Sequence, residues 1–390
     1  MPSLSTLRHT IDGLWTIINT AKPAVLAGTI LVCVFFGGGI VYAIKRWRRT
    51  PSKQFQKALA TFDEVTILTH PTPDPDAMAA AMAVQHLATY TNTDTTIQYP
   101  GEIRHQENRA FRTVLDLSAE QIESVADLSS DNVILVDHNS PRGFQGANAV
   151  EPVAIIDHHP GDGTEDAFTD IRTDYGATAS ILTEYFHALD FEPITQPQET
   201  VGDDKILPRE VTTGLMHGIL TDTGNFTRGC TDAEFNLSKY LYSGIDADLL
   251  DRVVNPPISA ETLEIVSQAV TDRDVDGPYA ISDVGTVSNI DALSQAADKL
   301  LQLEGISAVI VMGDNDETLH LSARSRDDRI HMGNVIENVL EDIPQSGGGG
   351  HARMGGGQVS LPHLEGLVVD SGMERSELTH ELFDELKTGG

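Results

Sequence analysis

The sequence predicts an α/β chain built on a parallel sheet, and three short segments carry that reading. Val65-Thr-Ile-Leu-Thr69, Asn132-Val-Ile-Leu-Val136 and Val153-Ala-Ile-Ile156 are apolar runs of strand length. Each runs into potential metal ligands: His70, Asp74 and Asp76 after the first, Asp137 after the second, and Asp157, His158 and His159 after the third. Functional groups of an open α/β sheet gather at the carboxyl ends of its parallel strands, so the three segments are expected to share one crevice. Helical patterns alternate with the strands, notably from Asp76 to Ala88 and from Thr178 to Ala188.

In chain order, the first feature is an uncharged stretch from Ala24 to Ile44. As a helix it would span about 32 Å, against roughly 30 Å of bilayer hydrocarbon. Lys45-Arg-Trp-Arg-Arg49 follows it directly, whereas only Arg8 and Lys22 precede it as permanent cations. That bias predicts a single-pass anchor in residues 1–50, in the cell membrane, with the remaining chain in the cytoplasm. A cleavable signal peptide would carry its basic cluster ahead of the apolar run rather than behind it. Gly37-Gly-Gly39 leaves room for close helix packing and keeps a homodimer open.

Residues 51–255 form the expected first domain, with a polar, proline-bounded surface loop from Gln196 to Pro208. Asn255-Pro-Pro257 breaks the chain, and a linker over 256–275 carries a helical connector from about Ala260 to Ala269. A second, smaller α/β domain is expected over 276–375. Its strands lie near Tyr279–Val287, Ala308–Met312 and Thr318–Ala323, and its helix near Met332–Leu340. The run Gly347-Gly-Gly-Gly-His-Ala-Arg-Met-Gly-Gly-Gly357, taken alone, reads as a flexible loop. Residues 376–390 read as a tail, either an exposed amphipathic helix or frayed.

Acidic residues outnumber basic ones 58 to 26, for a formal charge of −32. They are scattered through periodic segments rather than gathered in a tail, a pattern that fits a halophilic protein solvated in concentrated salt. At multimolar salt the Debye length is about 3 Å, so this charge does not repel an anionic substrate at range. It does argue against a broad basic groove for long duplex nucleic acid. The two cysteines, Cys33 and Cys230, provide neither a disulfide framework nor a cysteine-rich zinc site, which fits a reducing compartment.

A mixed set of aspartates and histidines suits a pair of divalent cations. Two ions about 3.5–4 Å apart need a shared carboxylate. Asp137, alone at the end of its strand, is the simplest bridge, with His70 and Asp74 on one ion and Asp76 on the other. Gly218-Ile-Leu-Thr-Asp-Thr-Gly224 ends a helical run at a glycine and exposes Asp222 as a further ligand.

In this order, His70/Asp74/Asp76, Asp137, Asp157-His158-His159 and Asp222 resemble the four metal-site motifs of the DHH phosphoesterase superfamily. Ser322-Ala-Arg-Ser325 and the glycine-rich run with His351 resemble its DHH-associated C-terminal substrate domain, so the likeness covers about residues 60–375. The resemblance implies two manganese ions, one held by His70, Asp74 and Asp137, the other by Asp76, Asp137, His158 and Asp222. It also implies that His159 faces the phosphate while Asp157 orients the site. Arg324 and Ser325, with Gly348, Gly349, Gly350 and His351, would then clamp a substrate phosphate. Pro75 stands where the family commonly has glycine.

The function expected from these features is manganese-dependent phosphodiester hydrolysis of small nucleotides. Short single-stranded RNA, 3′-phosphoadenosine 5′-phosphate and cyclic dinucleotides are the candidate substrates. Pyrophosphate or polyphosphate hydrolysis is the rival enzyme reading, and a catalytically silent nucleotide sensor at the membrane is the rival of another class.

Overall fold

The computed structural model describes residues 50–103, 105–164, 167–194, 205–365 and 373–390. It divides into two compact units, the first running to residue 103 and from 111 to 253, the second comprising 104–110 and 254–390.

The expected architecture needs one correction. Among the described residues no helix is long and apolar enough to cross a membrane. The longest have 14 residues, a rise of roughly 21 Å where spanning takes roughly 30 Å. The fold supported is therefore a parallel-sheet unit followed by a second α/β unit, with no membrane-spanning helix among the described residues, and the single-pass membrane localisation is withdrawn with it. The stretch 24–44 behind that expectation lies outside the described residues.

The first unit contains strands β1 (Glu64–Leu68), β2 (Asp94–Pro100), β3 (Glu120–Ile122), β4 (Val133–Val136), β5 (Ala154–Asp157) and β6 (Phe168–Ile171). They form one sheet in the order β3-β2-β1-β4-β5-β6, and every pairing is parallel. Strand succession runs outward from β1 in one direction and from β4 in the other, which places a crevice at the carboxyl ends of these two neighbours. Register pairs Leu68 with Leu135 and Val136 with Ile156, so the ends of β1, β4 and β5 lie side by side. All four residues of β4 and of β5 are buried, as expected for central parallel strands covered on both faces. A two-residue pair joins β7 (Glu192–Pro193) to β8 (Ile206–Leu207), so the end of the segment expected as a polar loop is a short strand.

The helices of this part are α1 (Pro51–Leu59), α2 (Pro75–Ala88), α3 (Gln106–Val114), α4 (Thr178–Ala188), α5 (Arg209–Asp222), α6 (Asp232–Tyr242) and α7 (Ala247–Val254). Helix α2 is buried on nearly every side, and alanines at 77, 79, 80, 81 and 83 let its neighbours come close. Asp74 caps it by accepting the Ala77 N–H at 3.0 Å. Pro75 suits the first helical position, where its fixed φ is favourable and no N–H is needed.

The second unit contains β9 (Arg273–Asp276), β10 (Tyr279–Thr286), β11 (Ala308–Asn315), β12 (Thr318–Ser325), β13 (Ser346–Gly350) and β14 (Met354–Ser360). Its helices are α8 (Ala260–Thr271), α9 (Asp291–Leu300), α10 (Met332–Leu340), the short α11 (Leu361–Leu364) and α12 (Arg375–Thr388). The sheet order is β13-β14-β12-β11-β10-β9, antiparallel except for β10 with β11. One core joins Ile265 and Ala269 of α8 to Leu293 and Leu300 of α9. Another joins Ile336 and Leu340 of α10 to Leu378, Leu382 and Leu386 of α12. The segment expected as a tail is thus a packed helix, because its leucines recur every four residues and find a partner face.

The glycine-rich run is a β-hairpin, not a flexible loop: Gly348 pairs with Gly357 and Gly350 with Gly355. Helix α10 is the reason for its composition. A Cβ on Gly348 would lie 2.4 Å from Ile336 Cγ2, and one on Gly355 would lie 2.7 Å from Met332 O. Gly349, next in sequence, faces open space. Gly348→Ala is therefore expected to destabilise the protein by about 1–3 kcal/mol through overpacking. Gly349→Ala is expected to be neutral or slightly stabilising. Urea denaturation of the two variants checks this; equal midpoints would refute the packing explanation.

Candidate metal centre

The strand ends converge as the sheet order requires. His70 and Asp74 follow β1, Asp137 follows β4, and the Asp157-His158-His159 triplet straddles the end of β5. Asp222, the last residue of α5, and Asp76, in the first turn of α2, complete the cluster.

Asp137 lies at the centre. Its Oδ2 is 3.4 Å from His70 Nε2 and its Oδ1 is 3.5 Å from His158 Nε2, so one carboxylate oxygen faces each imidazole. Asp74 Oδ1 is 3.7 Å from His70 Nε2, and Asp222 Oδ2 is 3.2 Å from His158 Nε2. His70, Asp74 and Asp137 form one group whose donor atoms lie within 4.8 Å of one another, and Asp76, His158 and Asp222 form a second. Buried His158 Nε2 makes no hydrogen bond despite its two carboxylate neighbours. A desolvated ring nitrogen without a partner, set among acidic oxygens, fits a metal ligand. Oxygen and imidazole donors without thiolate suit a divalent cation of the manganese kind.

Asp157 takes a different part. It is fully buried, with Oδ1 accepting from the His159 N–H at 3.0 Å and 2.9 Å from His159 Nδ1, and with Oδ2 accepting from Asn139 Nδ2 at 2.8 Å. That arrangement fixes the ring of His159, whose side chain is 54% exposed. Nε2 is left as the nitrogen available to an incoming ligand.

Several contributors were not legible as site residues. Thr178 donates its hydroxyl to Asp137 Oδ1 at 2.9 Å, and the Thr178 and Ala179 N–H groups donate to Asp76 at 2.7 and 2.8 Å. The carbonyl of Tyr175 lies 3.2 Å from His158 Nδ1, which directs the opposite nitrogen inward. A Cβ on Gly218 would lie 3.1 Å from both Asp76 Cα and Asp76 Oδ1, so glycine lets α5 close on the buried aspartate. His138 is buried, with Nδ1 2.9 Å from Val136 O, and burial holds it neutral with a pKa lowered to about 4. Only the start of a helical pattern at Thr178 and the polar Asn139 just beyond Asp137 hinted at any of these. Asp137 itself sits at φ 62, a left-handed conformation that aspartate tolerates better than most residues.

Electrostatics separate these groups. Burial alone would lower the pKa of His70, but Asp137 and Asp74 outweigh it and push it up to about 10. His158 is likewise penalised by burial and raised to about 9 by Asp222 and Asp137. Burial drives Asp76 well above the ordinary carboxylate range, helped by repulsion from Asp137, Asp222 and Asp74. Asp222 is raised mainly by burial. Asp157 is held low against its own burial by His159 and Asn139. Such crowding of acids around two cationic imidazoles is what a divalent ion would relieve.

The residues expected to clamp a phosphate all lie in the second unit. Arg324 Nε donates to Asp298 Oδ1 at 2.8 Å, and Nη1 donates to the Ala323 carbonyl at 3.0 Å. Ser325 departs from expectation: it is buried, its hydroxyl accepts the Asp327 N–H at 2.9 Å, and it lies within bonding distance of the Ser307 and Asp327 carbonyls. It braces the turn after β12, with its single hydroxyl hydrogen directed at those carbonyls. Gly348, Gly349 and Gly350 are strand residues, and exposed His351 opens the hairpin turn that follows them.

Residues 64–219 match the DHH family, N-terminal domain, and residues 276–370 match the DHHA1 domain. An uncharacterised protein of Methanocaldococcus jannaschii is 38% identical over 76% of this chain and 58% of its own length. The cyclic-di-AMP phosphodiesterase PdeA of Listeria monocytogenes is 24% identical over 81% of this chain and 48% of its own. The chain thus spans about half the length of these curated relatives. The crystal structure of an exopolyphosphatase-related protein from Bacteroides fragilis matches with a TM-score of 0.59 at 15% identity, over 86% of this chain and 95% of that one, a likeness of fold. With both domains matched in order, beside a cluster of aspartate and histidine donors suited to divalent metal, the chain belongs to the DHH phosphoesterase superfamily.

Proposed function

We propose that the protein hydrolyses phosphodiester bonds of small nucleotides with two manganese ions, acting on short oligoribonucleotides, 3′-phosphoadenosine 5′-phosphate or cyclic dinucleotides. The observation that carries the two-ion reading is Asp137, whose two oxygens face the two imidazoles of separate donor groups. His70, Asp74 and Asp137 would hold one ion, and Asp76, Asp137, His158 and Asp222 the other. When bound, the pair supplies a nucleophilic water at neutral pH and charge stabilisation for the phosphoryl oxygens.

The chain's own residues do the rest. The His159 pKa is raised, chiefly by its bond to Asp157, which favours the protonated ring, and a protonated ring can donate from Nε2 to a phosphoryl oxygen. Asp157 stays ionised and keeps that ring from turning away. Similarity to a cyclic-di-AMP phosphodiesterase over most of this chain supports a nucleotide substrate. The DHHA1 domain, with Arg324 and His351, supports phosphate recognition by residues of the second unit.

The test is hydrolysis of pApA, cyclic di-AMP, 3′-phosphoadenosine 5′-phosphate and pyrophosphate by the full chain with manganese, at low and at multimolar salt. Arg324→Ala and His351→Ala accompany the wild type. A charge-assisted phosphate contact is worth about 1.5–3 kcal/mol, so each variant should lose roughly tenfold to hundredfold in kcat/KM on nucleotides with metal content intact. The double variant should lose less than the sum if both residues hold one phosphate. Hydrolysis of pyrophosphate alone, unaffected by either substitution, would sink the nucleotide reading.

A further inference from the structure

The segment after β6 shapes the metal centre more than its residue types announce. Tyr175 places its carbonyl at His158, Thr178 its hydroxyl at Asp137, and Thr178 and Ala179 their amides at Asp76. Three residues of one five-residue segment thus orient three different ligands. Gly176 within that segment is confined from two directions. A Cβ there would lie 2.5 Å from Gly229 O and 2.9 Å from Thr223 Cγ2, both in the loop that follows Asp222. Its N–H donates at 2.9 Å to Oε1 of Glu234.

Glu234 is a wholly buried carboxylate on α6, 58 residues along the chain from Gly176. Oε2 accepts the N–H and the hydroxyl of Thr231, both at 2.8 Å, and so completes a capping box at the helix start. Capping accounts for that oxygen alone. A capping box works at the protein surface, whereas this carboxylate is desolvated, and charge-assisted bonds from three donors offset that cost. The third of these bonds contributes nothing to the helix and everything to the position of Gly176.

We propose that Glu234 is a positioning residue for the metal centre, through the hydrogen bond from Gly176 that holds the Tyr175–Ala179 segment against His158, Asp137 and Asp76. It touches none of the ligands itself. The inference rests on the metal-dependent reading of the site.

Two substitutions separate positioning from capping. In Glu234→Gln the amide keeps its carbonyl oxygen toward the two donors of Thr231 and turns its –NH2 against the Gly176 N–H. Thr231→Ala removes the capping hydroxyl and leaves the Gly176 bond in place. Measured on the full chain by isothermal titration with manganese alone, Glu234→Gln should weaken binding about tenfold to hundredfold, the usual effect of losing support behind a ligand. Thr231→Ala should stay near wild type even where its melting temperature falls as far. The imidazole 15N resonances of His158 in metal-free protein should move in Glu234→Gln and not in Thr231→Ala. Gly176→Ala, which displaces the same segment from the opposite direction, should reproduce the loss of manganese affinity if Glu234→Gln proves too unstable to titrate. Wild-type affinity with unmoved His158 resonances, or equal losses in the glutamine and Thr231→Ala variants, would overturn the proposal. A wild-type protein that binds no manganese would instead defeat the metal reading beneath it.

Discussion

Asp137→Ala is expected to reduce hydrolysis by about 10³-fold or more while leaving the fold intact. Metal and its activated water supply several kcal/mol of transition-state stabilisation, and each 1.4 kcal/mol is a decade in rate. Asp137 turns one oxygen to His70 and the other to His158, so its loss removes an oxygen beside an imidazole of each donor group. The substitution should not unfold the sheet. Val136 and Ile156 still pair, the Asp137 N–H still donates to Ile156 O at 3.0 Å, and removing a carboxylate from a crowded acidic cluster offsets the cost of about 1–2 kcal/mol for alanine in the left-handed conformation of this position. His159→Ala makes the contrast, because His159 is held by Asp157 at the open side of the cluster. Turnover should fall with most of the manganese retained. Metal content by elemental analysis, circular dichroism and steady-state rates decide the matter together. An Asp137→Ala protein with two bound ions and ordinary turnover would refute the bridging role.

Manganese affinity is expected to rise steeply with pH, by as much as about a hundredfold per pH unit below pH 9. A metal-bound imidazole must be unprotonated, so ions compete with protons for these rings. His70 and His158 keep their protons up to about 10 and about 9 in the metal-free protein. At neutral pH, binding should therefore release close to two protons from the imidazoles. The same shifts fix the stability of the metal-free form. A histidine whose folded pKa is raised contributes stability that is complete below its unfolded value of 6.5 and is lost as pH climbs through about 9 and 10. Asp76, also raised, acts in the same direction. Its contribution is complete below 3.8 and is lost as pH rises through its folded value, so an ionised Asp76 destabilises the metal-free protein. Melting temperature without manganese should decline from about pH 6.5 upward, and added manganese should raise it most on the alkaline side. Calorimetric titration in two buffers of different ionisation enthalpy counts the protons. Release near zero at pH 7 would refute the binding of metal by initially protonated His70 and His158 rings.

The strand ends were legible because a buried parallel strand must be apolar until it surfaces. In Val153-Ala-Ile-Ile156 the change from apolar to Asp157-His158-His159 therefore marks both the end of β5 and the opening of the crevice. Asp222 was legible for a similar reason, since a helix that stops at a glycine presents its last polar residue. Thr178, Gly218 and Glu234 were not, because a threonine, a glycine and a glutamate on helices have many ordinary uses. Only the approach of α4, α5 and α6 around Asp76 and Gly176 gives them this one. The glycine hairpin misled in the opposite way: a run that looks flexible is held by strand pairing and by α10 packed on it.

By itself the sequence determined the α/β class, the order of the metal-site motifs and the residue types able to bind a divalent ion, since these depend on local periodicity and on donor chemistry. Tertiary structure alone decided which oxygen of Asp137 faces which imidazole, why His158 Nε2 is left without a hydrogen bond, that Ser325 is spent on its own turn, and that the C-terminal leucines close a core. Those outcomes depend on burial and on contacts between residues tens to more than a hundred positions apart, where desolvation and packing set the energy and local pattern carries no trace of them.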